Sequence, residues 1–134
     1  MTVVAGLGAC SLTMEERDEM AEQVYDRNWV VSQIEGVPVA PGVTSTLTIA
    51  GDGKVSGNAG CNGYFGSVIV DDSAMSFGNL GSTRRACPEP AMGQEDRMLR
   101  ALDSTRGYRL EQRDLVLLDG AGNMVLRFIP GEAV

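Results

Sequence analysis

The sequence contains no histidine. Without imidazole there is no Ser/His/Asp or Cys/His pair to activate a nucleophile, and no imidazole metal site. Cysteine occurs only at Cys10, Cys61 and Cys87, never as Cys-x-x-Cys. That spacing argues against a zinc site and against a thioredoxin-type redox site. Positive charge is scarce: 11 Lys and Arg stand against 18 Asp and Glu, a net charge of −7. Nucleic-acid affinity rests on neutralising phosphates with Lys and Arg, so nucleic acid is not an expected partner. The small basic spot at Arg84 and Arg85 does not reverse that. No apolar run approaches the roughly 18 residues of a membrane-spanning helix. The acidic pairs Asp71-Asp72 and Glu95-Asp96 read as solvated turn and helix charges, and neither has the ligand count of a calcium loop. No metal and no cofactor is expected.

Glycine, by contrast, is abundant: 17 of 134 residues, about twice the ordinary share. The excess is spread along the chain, so it reads as many turns. The length suits one domain, and a chain of this size buries roughly two-thirds of its unfolded surface. From Trp29 onward the pattern is that of strands. "NWVVSQIEGVPV" ends at Gly36 and Pro38. In "STLTIAGDGKVSGNAG", Leu47 and Ile49 alternate with Thr46 and Thr48, and Gly51-Asp52-Gly53 is a hairpin signal. "YFGSVIVDDSAMSFG" gives a strand pair about Asp71-Asp72-Ser73. "GYRLEQRDLVLLDGAGNMVLRFIP" gives three more strands, with turns at Gln112-Arg113-Asp114 and Asp119–Asn123. Strand starts about ten residues apart point to an antiparallel sandwich or barrel.

One segment, residues 87–107, breaks the rhythm. Pro88 and Pro90 suit a helix start, where a missing N–H costs little. Glu89 would sit near the positive end of the helix dipole. Ala91, Met98, Leu99 and Leu102 share one face at helical spacing, and Gly107 is placed near the stop. The expected domain is therefore mostly antiparallel sheet with one inserted helix.

The stretch "GNAGCNGYFG", residues 57–66, concentrates four glycines around Cys61. A phosphate loop would need Gly-x-x-x-x-Gly-Lys-Ser/Thr or Gly-x-Gly-x-x-Gly between a strand and a helix. Gly57, Gly60, Gly63 and Gly66 lie between two strands, with no lysine following. They are expected to permit bulges or sharp coiling at a barrel corner.

At the N-terminus, Leu7-Gly8-Ala9-Cys10 resembles a bacterial lipobox, whose cysteine is lipidated. A signal peptide has a positive n-region and about 15 or more residues; here nine residues precede Cys10 and none is basic. Either the true start lies upstream or the match is accidental, leaving a tail with a free thiol. Residues 11–27 read either as a tether or as a short helix from about Thr13 to Tyr25, since Thr13 and Glu16 have capping-box spacing.

Four motifs in unbroken order over residues 28–130 resemble the META/HslJ-like family (DUF306). They are the Trp29 strand running into "IEGVPV", the Gly-Cys-Asn strand "SGNAGCNGYFGSV", "STRRACPEPAMGQEDRMLRAL" ahead of and into the helix, and "DLVLLDGAGNMVLRF". Arg85 stands where the family usually has Met, leaving open whether it is exposed or salt-bridged. The resemblance implies an incompletely closed, lipocalin-like β-barrel with one helix. It implies a bacterial envelope lipoprotein or secreted protein linked to heat or antibiotic stress and, in some organisms, to virulence, with no established catalytic mechanism. It also marks Cys61 and Cys87 as the family's cysteine pair. In the periplasm a disulfide between them would persist, closing a loop of about 25 residues for roughly 3.5 kcal/mol of stability; two neighbouring buried thiols are the other structural reading. Cys10 is left as the lipid anchor on the periplasmic side of the envelope. Asn62, Thr83 and Arg84 are polar motif positions, with a structural role or a place on the rim of a ligand or partner site.

Two functions follow as expectations. The first is a non-catalytic, monomeric envelope module. It would be membrane-tethered through Cys10 and bind an envelope protein or a small apolar ligand. The alternative is a thiol redox enzyme or redox-sensitive switch using Cys61 and Cys87, which would need a low-pKa, exposed thiolate.

Overall fold

The computed structural model describes residues 22–133. Cys10, its lipobox and most of the helix expected over Thr13 to Tyr25 lie outside the described residues. Residues 22–24 are helical. Val24 is fully buried, and its carbonyl accepts a hydrogen bond from the Trp29 indole N–H at 3.0 Å. The chain just ahead of the first strand is thus packed on the domain.

Nine antiparallel strands follow: β1 (Arg27–Ile34), β2 (Val37–Pro38), β3 (Thr46–Ile49), β4 (Lys54–Asn58), β5 (Gly63–Asp71), β6 (Ala74–Ser82), β7 (Gly107–Glu111), β8 (Asp114–Leu118) and β9 (Met124–Ala133). Each hairpin turns where the turn chemistry lies. Glu35-Gly36, Asp72 and Gln112 take positive φ at the tips, and the Asp119 carboxylate accepts the backbone N–H of Ala121 and Asn123. The sheet order is β2-β1-β3-β4-β5-β6-β7-β8-β9, and β1 also pairs with β9, so the sheet returns on itself. This is the expected antiparallel, incompletely closed barrel. Its weak joint lies between β6 and β7, which share a single register pair, Ala74 with Gly107.

Alternation along the strands turns one face inward. The interior is filled by Trp29, Leu47, Ile49, Met75, Leu117 and Phe128 among others. Each such side chain contributes roughly 1.5–3 kcal/mol by leaving water. The helix α1 (Ala91–Ser104) adds Met98, Ala101 and Leu102 to that core. Met98 and Leu102 were expected on its inner face; Ala91 and Leu99 are only half-buried. Pro90 precedes the helix as anticipated, and the Glu89 carboxylate accepts the Gly93 N–H at 2.8 Å.

Gly66 shows why the sheet curls. The β5–β6 register shifts between Phe65 and Ser67, the mark of a bulge. A Cβ on Gly66 would stand 2.7 Å from Leu80 Cδ2 and 2.9 Å from the Gly78 carbonyl oxygen.

Candidate functional site

Three segments meet where α1 begins: the loop 59–62 between β4 and β5, the strap 83–90 leading from β6, and the first turns of α1. Cys61 and Cys87 are joined by a disulfide, with Cα atoms 6.0 Å apart and a sequence separation of 26. The bridge ties the strap to the loop.

Glu95 sits beneath it. It was expected as a solvated helix charge; instead it is buried, and only its neighbour Asp96 is exposed. The physical reason is that the loop supplies it with donors. Glu95 Oε1 accepts the backbone N–H groups of Cys61 at 3.0 Å and Asn62 at 2.6 Å. Oε2 accepts the Asn62 side-chain amide at 2.8 Å. Burial alone would raise the carboxyl's pKa. The hydrogen bonds from the Asn62 amide and from the two backbone N–H groups, together with the nearby Arg85 charge, outweigh that and hold it below the ordinary carboxylate value.

Asn62, 1% exposed, is the hub. Its Nδ2 donates to Glu95 and, at 2.9 Å, to the Arg85 carbonyl. Its Oδ1 accepts the Thr83 hydroxyl at 3.0 Å and the Arg85 N–H at 2.7 Å. An amide has two donor and two acceptor positions, and all four are used. Arg85 is exposed, with its Nη2 donating to the Cys61 carbonyl at 2.9 Å. Gln94, the residue beside Glu95, clamps a further loop. It accepts the Ala40 N–H at 2.8 Å and donates to the Ser45 hydroxyl at 2.9 Å.

Gly60 makes this approach possible. Its φ is +144°, and a Cβ there would lie 3.0 Å from the Ala91 carbonyl oxygen and 3.2 Å from the Glu95 N. A Gly60→Ala substitution is expected to cost about 2 kcal/mol or more, because it combines backbone strain with a clash against the helix start. Urea unfolding checks this; a variant within about 0.5 kcal/mol of the parent would mean that the loop has room to shift.

Of the three polar positions singled out in the sequence, then, Asn62 and Thr83 are bound into the hub, and Arg84 is exposed beside it. The guanidinium of Arg84 makes no hydrogen bond or ion pair among the described residues. It borders a groove of about 270 Å³ between β6 and α1, lined also by Leu80, Leu99 and Asp103. The sequence offers Gln94 as no candidate and Glu95 only as a solvated charge, although Glu95 falls at helical spacing from Met98 and Leu102, and Gln94 from Met98 and Ala101. Among the described residues no three His, Cys, Asp or Glu side chains converge as a metal-binding group, and no helix is long and apolar enough to cross a membrane.

The profile of the META domain matches residues 22–131. The chain belongs to the META family. Solved structures share the fold. One, an NMR structure of a protein from Burkholderia xenovorans, is 28% identical, with TM-score 0.68, covering 98% of this chain and 99% of that one. Another, a crystal structure of a DUF4847-family protein from Bacteroides vulgatus, is 16% identical, with TM-score 0.62, covering 81% of this chain and 94% of that one. A further NMR structure is 20% identical, with TM-score 0.65. Among proteins with curated functions, none matches this META chain.

Proposed function

We propose that this META domain is a non-catalytic binding module of the bacterial cell envelope, lipid-tethered through Cys10, and that it serves stress tolerance by engaging a protein partner. The observation that carries the reading is the saturated hub. Asn62 and Glu95 spend their polar atoms on the chain itself, and the sulfurs of Cys61 and Cys87 on each other, so that corner is occupied with holding its own backbone. A disulfide of this kind persists in oxidising compartments, which favours the envelope, as does the Leu7–Cys10 pattern. The filled barrel turns attention from an interior apolar ligand to the outer surface. Stress tolerance comes from the family resemblance. The competing redox reading would need an accessible low-pKa thiolate; Cys61 is buried under the strap.

Intact mass of the native protein extracted from membranes tests this reading. The expected result is lipid on Cys10 and two hydrogens fewer than the free thiols at Cys61 and Cys87. An unmodified Cys10 on a chain recovered wholly from the cytoplasm would overturn the tether and the compartment. Rapid alkylation of Cys61 and Cys87 in the native protein would turn the reading to the redox alternative.

A further inference from the structure

We propose that the open edge of β6 is a docking site for an extended acidic segment of a partner protein, which adds to the sheet as a strand and sets a carboxylate on Arg84. The proposal rests on the binding-module reading and names its partner's chemistry. Successive residues of a strand direct their N–H and C=O groups to opposite sides. The hairpin register turns those of Ala74, Ser76 and Gly78 towards β5. Met75 faces the other way, and its N–H reaches the Arg106 carbonyl at 3.1 Å, where β7 begins. Phe77 follows the same side as Met75. Past the bulge, Thr83 N–H bonds the Gly63 carbonyl, so Gly81 also faces β5, while Leu80 and Ser82 face outwards. Beyond Ala74 and Gly107, β6 and β7 share no further pair. Among the described residues no strand meets the main-chain groups of Phe77, Leu80 and Ser82.

A row of unpaired main-chain donors and acceptors is met by another main chain, which is why an extended polypeptide fits better than a small apolar ligand. The groove beside this edge supplies the selectivity. Leu80 and Leu99 offer apolar surface for an alternate side chain, and Arg84 and Asp103 give the same groove one charge of each sign. Arg84 is the cation there whose guanidinium has no partner among the described residues. A carboxylate is the group that a guanidinium fork recognises. The partner segment therefore carries Asp or Glu, or a chain terminus, at its Arg84 end.

The probe is a library of random seven-residue peptides displayed on phage and panned on the whole protein, followed by synthesis of an enriched peptide. Enriched sequences are expected to alternate apolar and polar residues, with an acidic residue near one end. At saturation the synthetic peptide should slow amide exchange at Phe77, Leu80 and Ser82 by about tenfold or more. Arg84→Glu should weaken its binding by about tenfold or more, the loss of one charge-assisted contact, without altering the thermal midpoint, and should shift the enriched residue to Lys or Arg. A peptide that binds without protecting those three amides overturns the edge while leaving the binding-module reading in place. Protection already present in the free protein would show that the edge is covered before any partner arrives. Protection that grows with protein concentration would assign it to a second copy; either outcome overturns the proposal. No enriched peptide also overturns it, while lipid on Cys10 tests the tether and the compartment separately.

Discussion

Replacing Glu95 with alanine is expected to lower the unfolding free energy by about 4 kcal/mol. The substitution leaves three donors, the N–H groups of Cys61 and Asn62 and the Asn62 side-chain amide, without their acceptor in a buried corner. Each stranded donor costs about 1–3 kcal/mol, moderated here because water can enter the space vacated. Glu95→Gln keeps the shape but points an NH₂ at donors, so a loss of about 2 kcal/mol is expected. Urea midpoints at neutral pH measure both, with the slope of the transition unchanged. A loss below about 0.5 kcal/mol for the alanine variant would mean that the hub is ornamental.

The same carboxylate shapes the acid limb of stability. Its pKa is lowered on folding from the ordinary 4.5. The stabilisation it gives is thus fully present above that value and is lost as pH falls through the lower folded-state value. Wild-type protein should lose stability below about pH 4.5 more steeply than Glu95→Gln, and the two curves should converge in acid.

The second large effect belongs to the disulfide. Removing it by a Cys61→Ser, Cys87→Ser double substitution should cost roughly 3.5 kcal/mol on the chain-entropy account, given the separation of 26 residues. Because the bridge also holds the strap over Glu95, faster amide exchange is expected at Arg85 and Asn62, while Leu115 and Leu117, deep in β8, should keep most of their protection. A variant whose midpoint is unchanged would show that the strap is held by the hub alone.

Much of the fold was legible because local chemistry and burial agree. Gly51-Asp52-Gly53, Asp71–Ser73 and Asp119–Asn123 carry turn residues where the chain turns, and Pro90 with Glu89 marks the start of α1. The cysteine pair was not readable from spacing; it came from the family's Gly-Cys-Asn and Thr-Arg-x-x-Cys order. Beside Asp96 in a charged helix, Glu95 reads as solvent-facing. Its phase says otherwise: Ala91, Glu95, Met98 and Leu102 lie along one stripe, and an acidic residue inside an apolar stripe is the signature of a buried carboxylate with partners. Gln94 shares a stripe with Met98 and Ala101 in the same way. Those partners lie more than thirty positions away, on Cys61 and Asn62, so no local pattern names them. The unpaired edge of β6 was also invisible in the sequence. Its alternation is that of any strand, and only the single pair shared with β7 reveals that no strand among the described residues continues along its outer edge.

The bridge and the Glu95–Asn62 hub should act as one unit that pins the strap and leaves Arg84 outward. A double-mutant cycle between Glu95→Ala and the paired cysteine-to-serine substitution, read by urea unfolding, tests it most directly. Once either element is gone the strap is already loosened, so the combined loss should fall short of the sum of the separate losses by more than about 1 kcal/mol. Losses that add to within about 0.5 kcal/mol would show instead two independent features that happen to be neighbours.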